Sequence, residues 1–284
     1  MEALFKFLAR WPLSSLHGLG AALGWLTYAL SPTYRRRFIA NSRLAGFSRA
    51  QVRGAIAHAG RMACELPRLW LGTPVPVQWE GAELIDAAHA AGKGIIFLTP
   101  HLGCFEITAQ AYAQRYGGTG HSLTVLYRPA RKAWLQNIVK TSRTRPGLAA
   151  APATLSGVKA LVKALRSGQA LGILPDQVPP LGLGVWADFY GKSAYSMTLP
   201  ARLAKQTGAA ILLAWGERLP QGAGYCARFR AFDEVLSDIP EESSAQINAA
   251  MSRLISECPD QYLWGYARYK QPRSDANVLS GSQT

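Results

Sequence analysis

The sequence predicts an α/β protein: a single domain with a central, mostly parallel sheet flanked by helices, preceded by an apolar helix at the N-terminus. From about residue 80 onward, short apolar strand segments alternate with helical segments, a pattern typical of a parallel sheet. The chain has 284 residues, of which 49% are hydrophobic and 17% charged. These values indicate a folded chain with a sizeable core.

The predicted N-terminal helix covers residues 13–30, which include no Asp, Glu, Lys or Arg and are bracketed by Pro12 and Pro32. Such a helix would be about 27 Å long, just enough for a hydrocarbon core. Its glycines and serines leave open that it lies on the bilayer instead of crossing it. A buried core helix and a cleaved signal peptide are the alternatives. The arginines at 35–37 favour an anchor whose following chain stays cytoplasmic.

The alternating segments define the elements of the sheet. The predicted strands are 94–99, 122–127, 170–175, 209–215 and 224–232, with a short apolar piece at 147–151. The predicted helices are 81–91, 103–115, 131–144, 155–167, 197–207 and 241–257. A Gly/Pro-rich loop is predicted between 177 and 192. In sheets of this kind, ligands bind beyond the carboxyl ends of the strands.

Three polar residues, His101, Arg128 and Asp176, each follow a predicted strand directly. If these strands are parallel neighbours, the three side chains share one edge of the sheet and form one site. A neutral imidazole can take a proton from an alcohol when a carboxylate orients it. Glu106 lies about one helical turn after His101 in "PHLGCFE". We therefore interpret His101 as a general base and Glu106 as its orienting carboxylate.

Other interpretations of this stretch stay open. His101 and Glu106 could be a surface histidine and a helix-start glutamate, because an H-x4-E spacing is common by chance. Cys104 inside the motif suggests a Cys–His nucleophile. The other histidines are interpreted as structural; they are His17, His58, His89 and His121. The four cysteines show no CxxC spacing, which indicates free thiols in a reducing compartment and no metal site.

Several stretches, in order, resemble the late acyltransferases of lipid A biosynthesis, within the glycerolipid acyltransferase superfamily. They are "PHLGCFE", "LYRPARKAWLQNIV", "GVKALVKALRSGQALGILPDQ", "FYGKSAYSMTLPARLAKQTGA" and "CPDQYLWGYARYKQP". The resemblance covers nearly the whole chain and includes the short apolar N-terminal segment. It implies a glycerolipid acyltransferase-like fold without a cofactor, and transfer of a fatty acyl chain from acyl-acyl carrier protein to a hydroxyl of a lipid A precursor.

The resemblance also implies roles for single residues. His101 occupies the position of the general base and Glu106 that of the orienting carboxylate. Arg128 matches an arginine that meets acceptor phosphates or developing charge, and Asp176 matches an aspartate of less settled role. Two positions depart from the family pattern: Cys104, where relatives often have Asn or Ser, and Tyr266, where His is common.

The net positive charge of the chain is compatible with the donor and acceptor that the resemblance implies. The chain carries 31 basic and 17 acidic residues, a net charge of +14, and a phosphorylated glycolipid, an anionic membrane and an acidic carrier protein are all polyanions. Arg131 and Lys132 begin a basic helix that we expect to bind the carrier protein or phosphates. We thus divide the chain into an anchor (1–32), an acyltransferase domain (33–272) and a polar tail (273–284), located on the cytoplasmic side of a Gram-negative inner membrane.

The sequence does not fix the acceptor or the acyl length. The same chemistry on a lysophospholipid or another glycolipid is the alternative. A basic membrane- or nucleic-acid-binding protein is the alternative of another class. The absence of a zinc-finger spacing, an aromatic-basic motif or a recognition helix argues against nucleic acid as a partner.

Overall fold

A central sheet of seven strands organises the protein in the computed structural model, which describes residues 2–127, 138, 146–152 and 155–274. The strands are β1 (Val77–Glu80), β2 (Ile95–Leu98), β3 (Leu123–Tyr127), β4 (Leu148–Pro152), β5 (Ala170–Ile173), β6 (Gly184–Phe189), β7 (Lys192–Met197), β8 (Ala210–Arg218) and β9 (Tyr225–Ala231). The α-helices are α1 (Glu2–Leu8), α2 (Leu13–Leu30), α3 (Pro32–Leu44), α4 (Arg49–Val52), α5 (Gly54–Cys64), α6 (Leu66–Leu71), α7 (Ala82–Ala90), α8 (Phe105–Tyr116), α9 (Leu155–Arg166), α10 (Leu199–Thr207) and α11 (Pro240–Glu257).

The sheet has the order β1-β9-β8-β2-β5-β3-β4. The five strands from β8 to β4 in this order are parallel, and the β8–β9 pair is antiparallel. The predicted mostly parallel sheet is therefore confirmed. Both faces of its central strands are buried, which explains why these strands are continuous apolar runs in the sequence.

Successive residues of β2 point to two different cores. Ile96 and Leu98 belong to the core beneath α9, α10 and α11, whereas Ile95 and Phe97 belong to the core beneath α7 and α8. This alternation follows from the two-residue repeat of a strand. The helices predicted at 81–91, 103–115, 155–167, 197–207 and 241–257 are all present within a few residues of their predicted bounds.

One prediction about the loops is wrong. Within the segment predicted as a loop at 177–192, residues Gly184–Phe189 form strand β6, which pairs with β7 in an antiparallel hairpin outside the main sheet. Its turn lies at Tyr190 and Gly191, which both have positive φ, as a tight two-residue hairpin requires. The prolines and glycines at 179–184 are typical of a loop, so the sequence pattern did not indicate the strand that begins at Gly184.

The N-terminal run is helical, as predicted, but the interpretation as a membrane-crossing anchor is not supported. In the described part of the chain, no helix has both the length and the apolar character needed to cross a bilayer. Instead α2 packs along α5 through glycines. A Cβ atom at Gly60 would overlap the carbonyl oxygen of Gly20, and one at Gly24 would overlap that of Ile56. The two helices are close because these positions have no side chain.

A buried ionic cluster also joins α2 to the sheet. The Glu65 carboxylate accepts two hydrogen bonds from Arg218, of 2.8 and 2.6 Å, and one of 2.9 Å from the Tyr225 hydroxyl. His17 of α2 lies 3.0 Å from the same carboxylate. We call these four residues the Glu65 cluster. All four are buried, so α2 is part of the core packing of the protein.

Candidate active site

The loop after β2 carries His101 and is held on both sides by backbone hydrogen bonds. The N–H of Gly103 donates to the Gln261 carbonyl (3.1 Å), and the N–H of Cys104 donates to the Gly216 carbonyl (2.7 Å). Gly103 has a φ of +58°, and a Cβ atom there would overlap the Gly216 carbonyl oxygen. The glycine of "PHLGCFE" thus allows the loop to approach β8 closely. His101 is held at a defined place at the carboxyl edge of the sheet.

Asp176 orients the His101 ring. Asp176 follows β5, the strand next to β2, and its Oδ1 lies 2.7 Å from Nδ1 of His101. The backbone N–H of His101 donates to Oδ2 of the same carboxylate at 2.8 Å. Two contacts to one carboxylate fix both the ring and its loop. The prediction that His101 and Asp176 share one edge of the sheet is confirmed.

The carboxylate of Asp176 is kept ionised although its side chain is only 2% exposed. Burial alone would raise the pKa of Asp176, but the charge of His101 and its hydrogen bonds, with a smaller contribution from Arg268, lower it below its ordinary value. Arg268 is itself buried, and its guanidinium donates to the Tyr195 carbonyl and the Ser196 hydroxyl at 2.7 and 2.6 Å. Asp176 therefore carries a negative charge that can stabilise an imidazolium on His101.

Gln177 contacts the other side of the ring. Its Nε2 lies 2.9 Å from Nε2 of His101. The loop that follows is held by Tyr266, whose hydroxyl accepts a hydrogen bond of 3.1 Å from the Val178 N–H. Tyr266, one of the departures from the family pattern, thus packs the final segment against the site. Sequence analysis missed Gln177; its place next to Asp176 in "PDQ" was the available signal.

The predicted contact between Glu106 and the His101 ring is not what the structure shows. The two ring nitrogens of His101 face Asp176 and Gln177. Glu106 lies in the first turn of α8 and is buried, with the Trp70 indole N–H donating to it at 3.4 Å.

An apolar cavity opens between α8 and the sheet beside this motif. Thr99, Phe105 and Glu106 line it near His101. Its deeper walls come from both α8 and the sheet: Phe97, Tyr112, Leu123, Leu148, Ala214 and Phe229. The site therefore combines a polar edge with an adjoining apolar space, as ligand pockets for amphipathic molecules do.

Cys104 does not form a nucleophilic pair with His101. Its side chain is buried, and burial raises the pKa of the Cys104 thiol well above its ordinary value. A protonated, buried thiol is a poor nucleophile. All four cysteines are free, as predicted, and no cluster of possible metal ligands occurs among the described residues.

Several predicted binding residues lie outside the described residues: Arg128, Arg131 and Lys132, together with all of the predicted helix 131–144 except residue 138 and with most of the polar tail. β3, which ends directly before Arg128, pairs with β5, the strand that precedes Asp176. The expected binding roles of Arg128, Arg131 and Lys132 stay predictions.

Fold and site together define an α/β protein with a histidine–carboxylate pair of general-base geometry at the carboxyl edge of its sheet. The family model described as bacterial lipid A biosynthesis acyltransferase matches residues 3–271. The chain belongs to this family, which confirms the resemblance found in the sequence.

Sequence identity to the individual relatives described next is between 25% and 28%. The chain is 28% identical over 65% of its length to a lipid A biosynthesis acyltransferase of Haemophilus influenzae. It is 25% identical over 67% of its length to a lipid A biosynthesis lauroyltransferase of Escherichia coli, and 25% identical over 86% to the myristoyltransferase of that organism. The matches span 56%, 60% and 77% of these three relatives.

Proposed function

We propose that this protein is an acyltransferase that moves a fatty acyl chain from acyl-acyl carrier protein to a hydroxyl of a lipid A precursor. The observation that carries the proposal is the His101–Asp176 pair, whose Nδ1–Oδ1 distance is 2.7 Å. A carboxylate on Nδ1 leaves Nε2 as the proton-accepting nitrogen. The family to which the chain belongs supports the lipid class of the acceptor.

The reaction needs no nucleophile from the protein. His101 Nε2 removes the proton of the acceptor hydroxyl while its oxygen attacks the thioester carbonyl carbon. The C–S bond then breaks, and the proton passes from His101 to the sulfur of the carrier. Asp176 stabilises the imidazolium between these steps. The products are an ester and the free carrier thiol, so atoms and charge balance.

The apolar cavity beside the motif has a volume of about 60 Å³, so it suits only the first few carbons of the acyl chain. Its walls are chiefly aromatic and aliphatic, with Glu106 and Thr99 at the end near His101. A chain placed there would bring its carbonyl carbon toward the imidazole. Glu106 would then contact the reacting end of the acyl group. This role differs from the orienting role first predicted for it.

Arg128, Arg131 and Lys132 remain our candidates for acceptor phosphates and the carrier protein. A guanidinium forms paired hydrogen bonds with a phosphate that a lysine reproduces poorly. We expect Arg128→Lys mainly to raise KM for a phosphorylated acceptor. Steady-state kinetics on acceptors with and without one phosphate test this expectation. Unchanged constants on both acceptors would remove Arg128 from the site.

We further propose that the protein associates with the cytoplasmic face of the inner membrane through α1 and α2 without crossing it. More than a third of the surface of several apolar side chains there is exposed: Leu4, Phe7, Leu19, Leu23, Leu26 and Leu30. Exposed Arg36 and Arg37 follow on α3, and basic residues next to an apolar face favour anionic lipids. Flotation with phosphatidylglycerol vesicles should fall for Leu26→Ser/Leu30→Ser relative to Leu44→Ser, an exposed leucine at the end of α3. Equal flotation of both variants would exclude α2 as the contact.

An acyl transfer assay tests the proposed activity. The full chain is mixed with a panel of acyl-acyl carrier proteins and with a lipid A precursor, a lysophospholipid or a phosphorylated glycolipid, and products are identified by mass spectrometry. The glycolipid is included because the chain is also 30% identical, over 46% of its length, to a phosphatidylinositol mannoside acyltransferase of Mycobacterium tuberculosis. Transfer that depends on His101, but not on the partly exposed His121 at the opposite edge of the sheet, would support the proposal. Lack of transfer to all acceptors would refute it.

A further inference from the structure

Two consecutive residues, Asp176 and Gln177, contact the two ring nitrogens of His101. The Asp176 carboxylate lies 2.7 Å from Nδ1, and the Gln177 side-chain amide lies 2.9 Å from Nε2. The His101 side chain is 13% exposed. In this state the nitrogen that would accept a substrate proton already has a protein partner.

The direction of both hydrogen bonds follows from Asp176. An ionised carboxylate can only accept hydrogen bonds, so Nδ1 of His101 must carry a proton. In the neutral ring Nε2 then has a lone pair and no hydrogen. Gln177 must therefore donate its amide N–H to that lone pair. This lone pair is the one that the proposed reaction uses.

We propose that Gln177 is a positioning residue that withholds His101 from water until an acceptor hydroxyl displaces its amide, and so limits wasteful hydrolysis of the acyl thioester. The inference rests on the proposed function. An acyl donor that binds before the acceptor faces water as a competing nucleophile. In that side reaction the water oxygen attacks the carbonyl carbon and the C–S bond breaks. The proton travels through His101 to the sulfur, which gives a fatty acid and a free thiol.

The Gln177 amide favours the acceptor hydroxyl over water because only the acceptor lipid makes further contacts with the protein. An acceptor lipid is bound elsewhere on the protein, so its hydroxyl reaches Nε2 at a high effective concentration. A water molecule has no such additional binding. One hydrogen bond of ordinary net strength changes an equilibrium by about tenfold. The amide therefore disfavours attack by water by about this factor, whereas binding of the acceptor lipid overcomes it.

The first test measures donor hydrolysis without acceptor, as release of carrier thiol from an acyl-acyl carrier protein. Gln177→Ala and Gln177→Leu should both raise hydrolysis by about tenfold, since each lacks the amide donor. The leucine variant retains most of the side-chain volume, which separates loss of the donor from opening of the site. KM for the acceptor should fall, because the hydroxyl no longer competes with an amide, while kcat stays near the wild-type value. Gln206→Ala, at an exposed position of α10, is the matched control and should change neither quantity.

The extra hydrolysis must pass through the same base. His101→Ala added to Gln177→Ala should return donor hydrolysis to the background level. Hydrolysis that stays high in this double variant, or that does not rise in either Gln177 variant, would overturn the inference. A rise in the alanine variant alone would also overturn it, because that result would reflect an opened site.

A second measurement does not depend on activity. In ¹⁵N spectra of the full chain without substrate, Gln177→Leu should shift the Nε2 resonance of His101 and leave Nδ1 nearly unchanged, with His101→Ala providing the assignment. An unchanged Nε2 resonance would overturn the inference even if acyl transfer is observed. If no acceptor is acylated but the Nε2 resonance shifts and hydrolysis rises, the proposed function fails while the control of His101 by Gln177 stands.

Discussion

Two histidine–carboxylate pairs in this protein have similar distances and different surroundings. His17 lies 3.0 Å from Glu65, and His101 lies 2.7 Å from Asp176. Glu65 is also bound by Arg218 and Tyr225, so its charge is balanced and its oxygens are occupied. By contrast, the ring Nδ1–H and the backbone N–H of His101 both donate hydrogen bonds to Asp176. The other ring nitrogen, Nε2, faces the side-chain amide of Gln177.

The comparison shows that a short histidine–carboxylate contact does not by itself define a catalytic pair. What matters is whether the second ring nitrogen can meet a substrate and whether the carboxylate is free to respond to a charge on the ring. The Glu65 cluster fixes α2 to the sheet, whereas the His101 pair lies beside a cavity. The following predictions test this difference, from the largest expected effect to the smallest.

Removal of the two histidines should have opposite consequences. His101→Ala should lower kcat by about 10²–10⁴, the range for loss of a general base, with thermal unfolding near that of the wild type. His17→Ala should lower the free energy of unfolding by about 1.5–3 kcal/mol, the range for a hydrogen bond to a charged group, and leave kcat per folded molecule unchanged. Kinetics and denaturant unfolding of both variants check this. A His101→Ala variant with more than a tenth of the wild-type rate would remove His101 from the mechanism.

Neutralising Glu65 should strongly destabilise the fold. Glu65→Gln leaves the Arg218 charge buried without its partner, and breaking such a pair typically costs about 3–5 kcal/mol. Burial would raise the pKa of Glu65, but Arg218 and the hydrogen bonds from His17 and Arg218 lower it below the ordinary value of 4.5. Because the folded pKa is lowered to about 2, this stabilisation is fully present above pH 4.5 and is lost as the pH falls from there toward about 2. Urea unfolding between pH 3 and 7 measures it; a Gln variant as stable as the wild type at pH 7 would contradict the account.

Asp176 and Glu106 should differ in how they affect His101. Asp176→Asn should lower kcat by about 10²–10⁴, because the amide can stabilise the wrong tautomer of the ring. Glu106→Gln should also lower the rate but leave the tautomer of His101 unchanged, since the two ring nitrogens face Asp176 and Gln177. Imidazole ¹⁵N spectra next to the kinetics separate the two. A tautomer that changes in Glu106→Gln but not in Asp176→Asn would restore the assignment first made from the sequence.

The glycine contact between α2 and α5 can be tested with a matched pair. Gly60→Ala would force the two helices apart and should destabilise the protein by about 1–3 kcal/mol, as overpacking does. Gly60 lies on α5 and Gly18 on α2. A Cβ atom added at Gly18 would meet no other atom within 4 Å, so Gly18→Ala should be neutral or slightly stabilising. Thermal unfolding compares them. Equal midpoints would mean that close helix packing contributes little here.

Cys104 should have the smallest effect on chemistry. Cys104→Ala removes a buried thiol that lies near Glu65, so stability should fall slightly while kcat per folded molecule stays within about twofold of the wild type, since direct transfer needs no thiol. Intact-protein mass spectra after mixing with acyl donor alone provide the check. An acyl adduct that disappears in Cys104→Ala would revive the Cys–His alternative.

Sequence patterns were sufficient for most of the sheet and for part of the site. The central strands are buried on both faces, so each is an uninterrupted apolar run that is easy to locate. His101 and Asp176 could be brought together without coordinates, because residues after parallel neighbouring strands must share an edge. The β6–β7 hairpin was not predicted, because half-exposed antiparallel strands next to Gly and Pro show only a weak pattern of alternating apolar and polar residues.

The sequence by itself determined the fold class, the family and the histidine at the edge of the sheet, because these depend on periodicity and local order along the chain. Only the tertiary structure decided which carboxylate meets that histidine. Glu106 is near in sequence but accepts a hydrogen bond from Trp70, whereas Asp176 is brought within 2.7 Å of the ring by the pairing of β2 with β5. The structure also decided the place of α2. An uncharged run is compatible with a bilayer or with a protein core, and only the contacts of Gly20, Gly24 and His17 with distant residues distinguish the two.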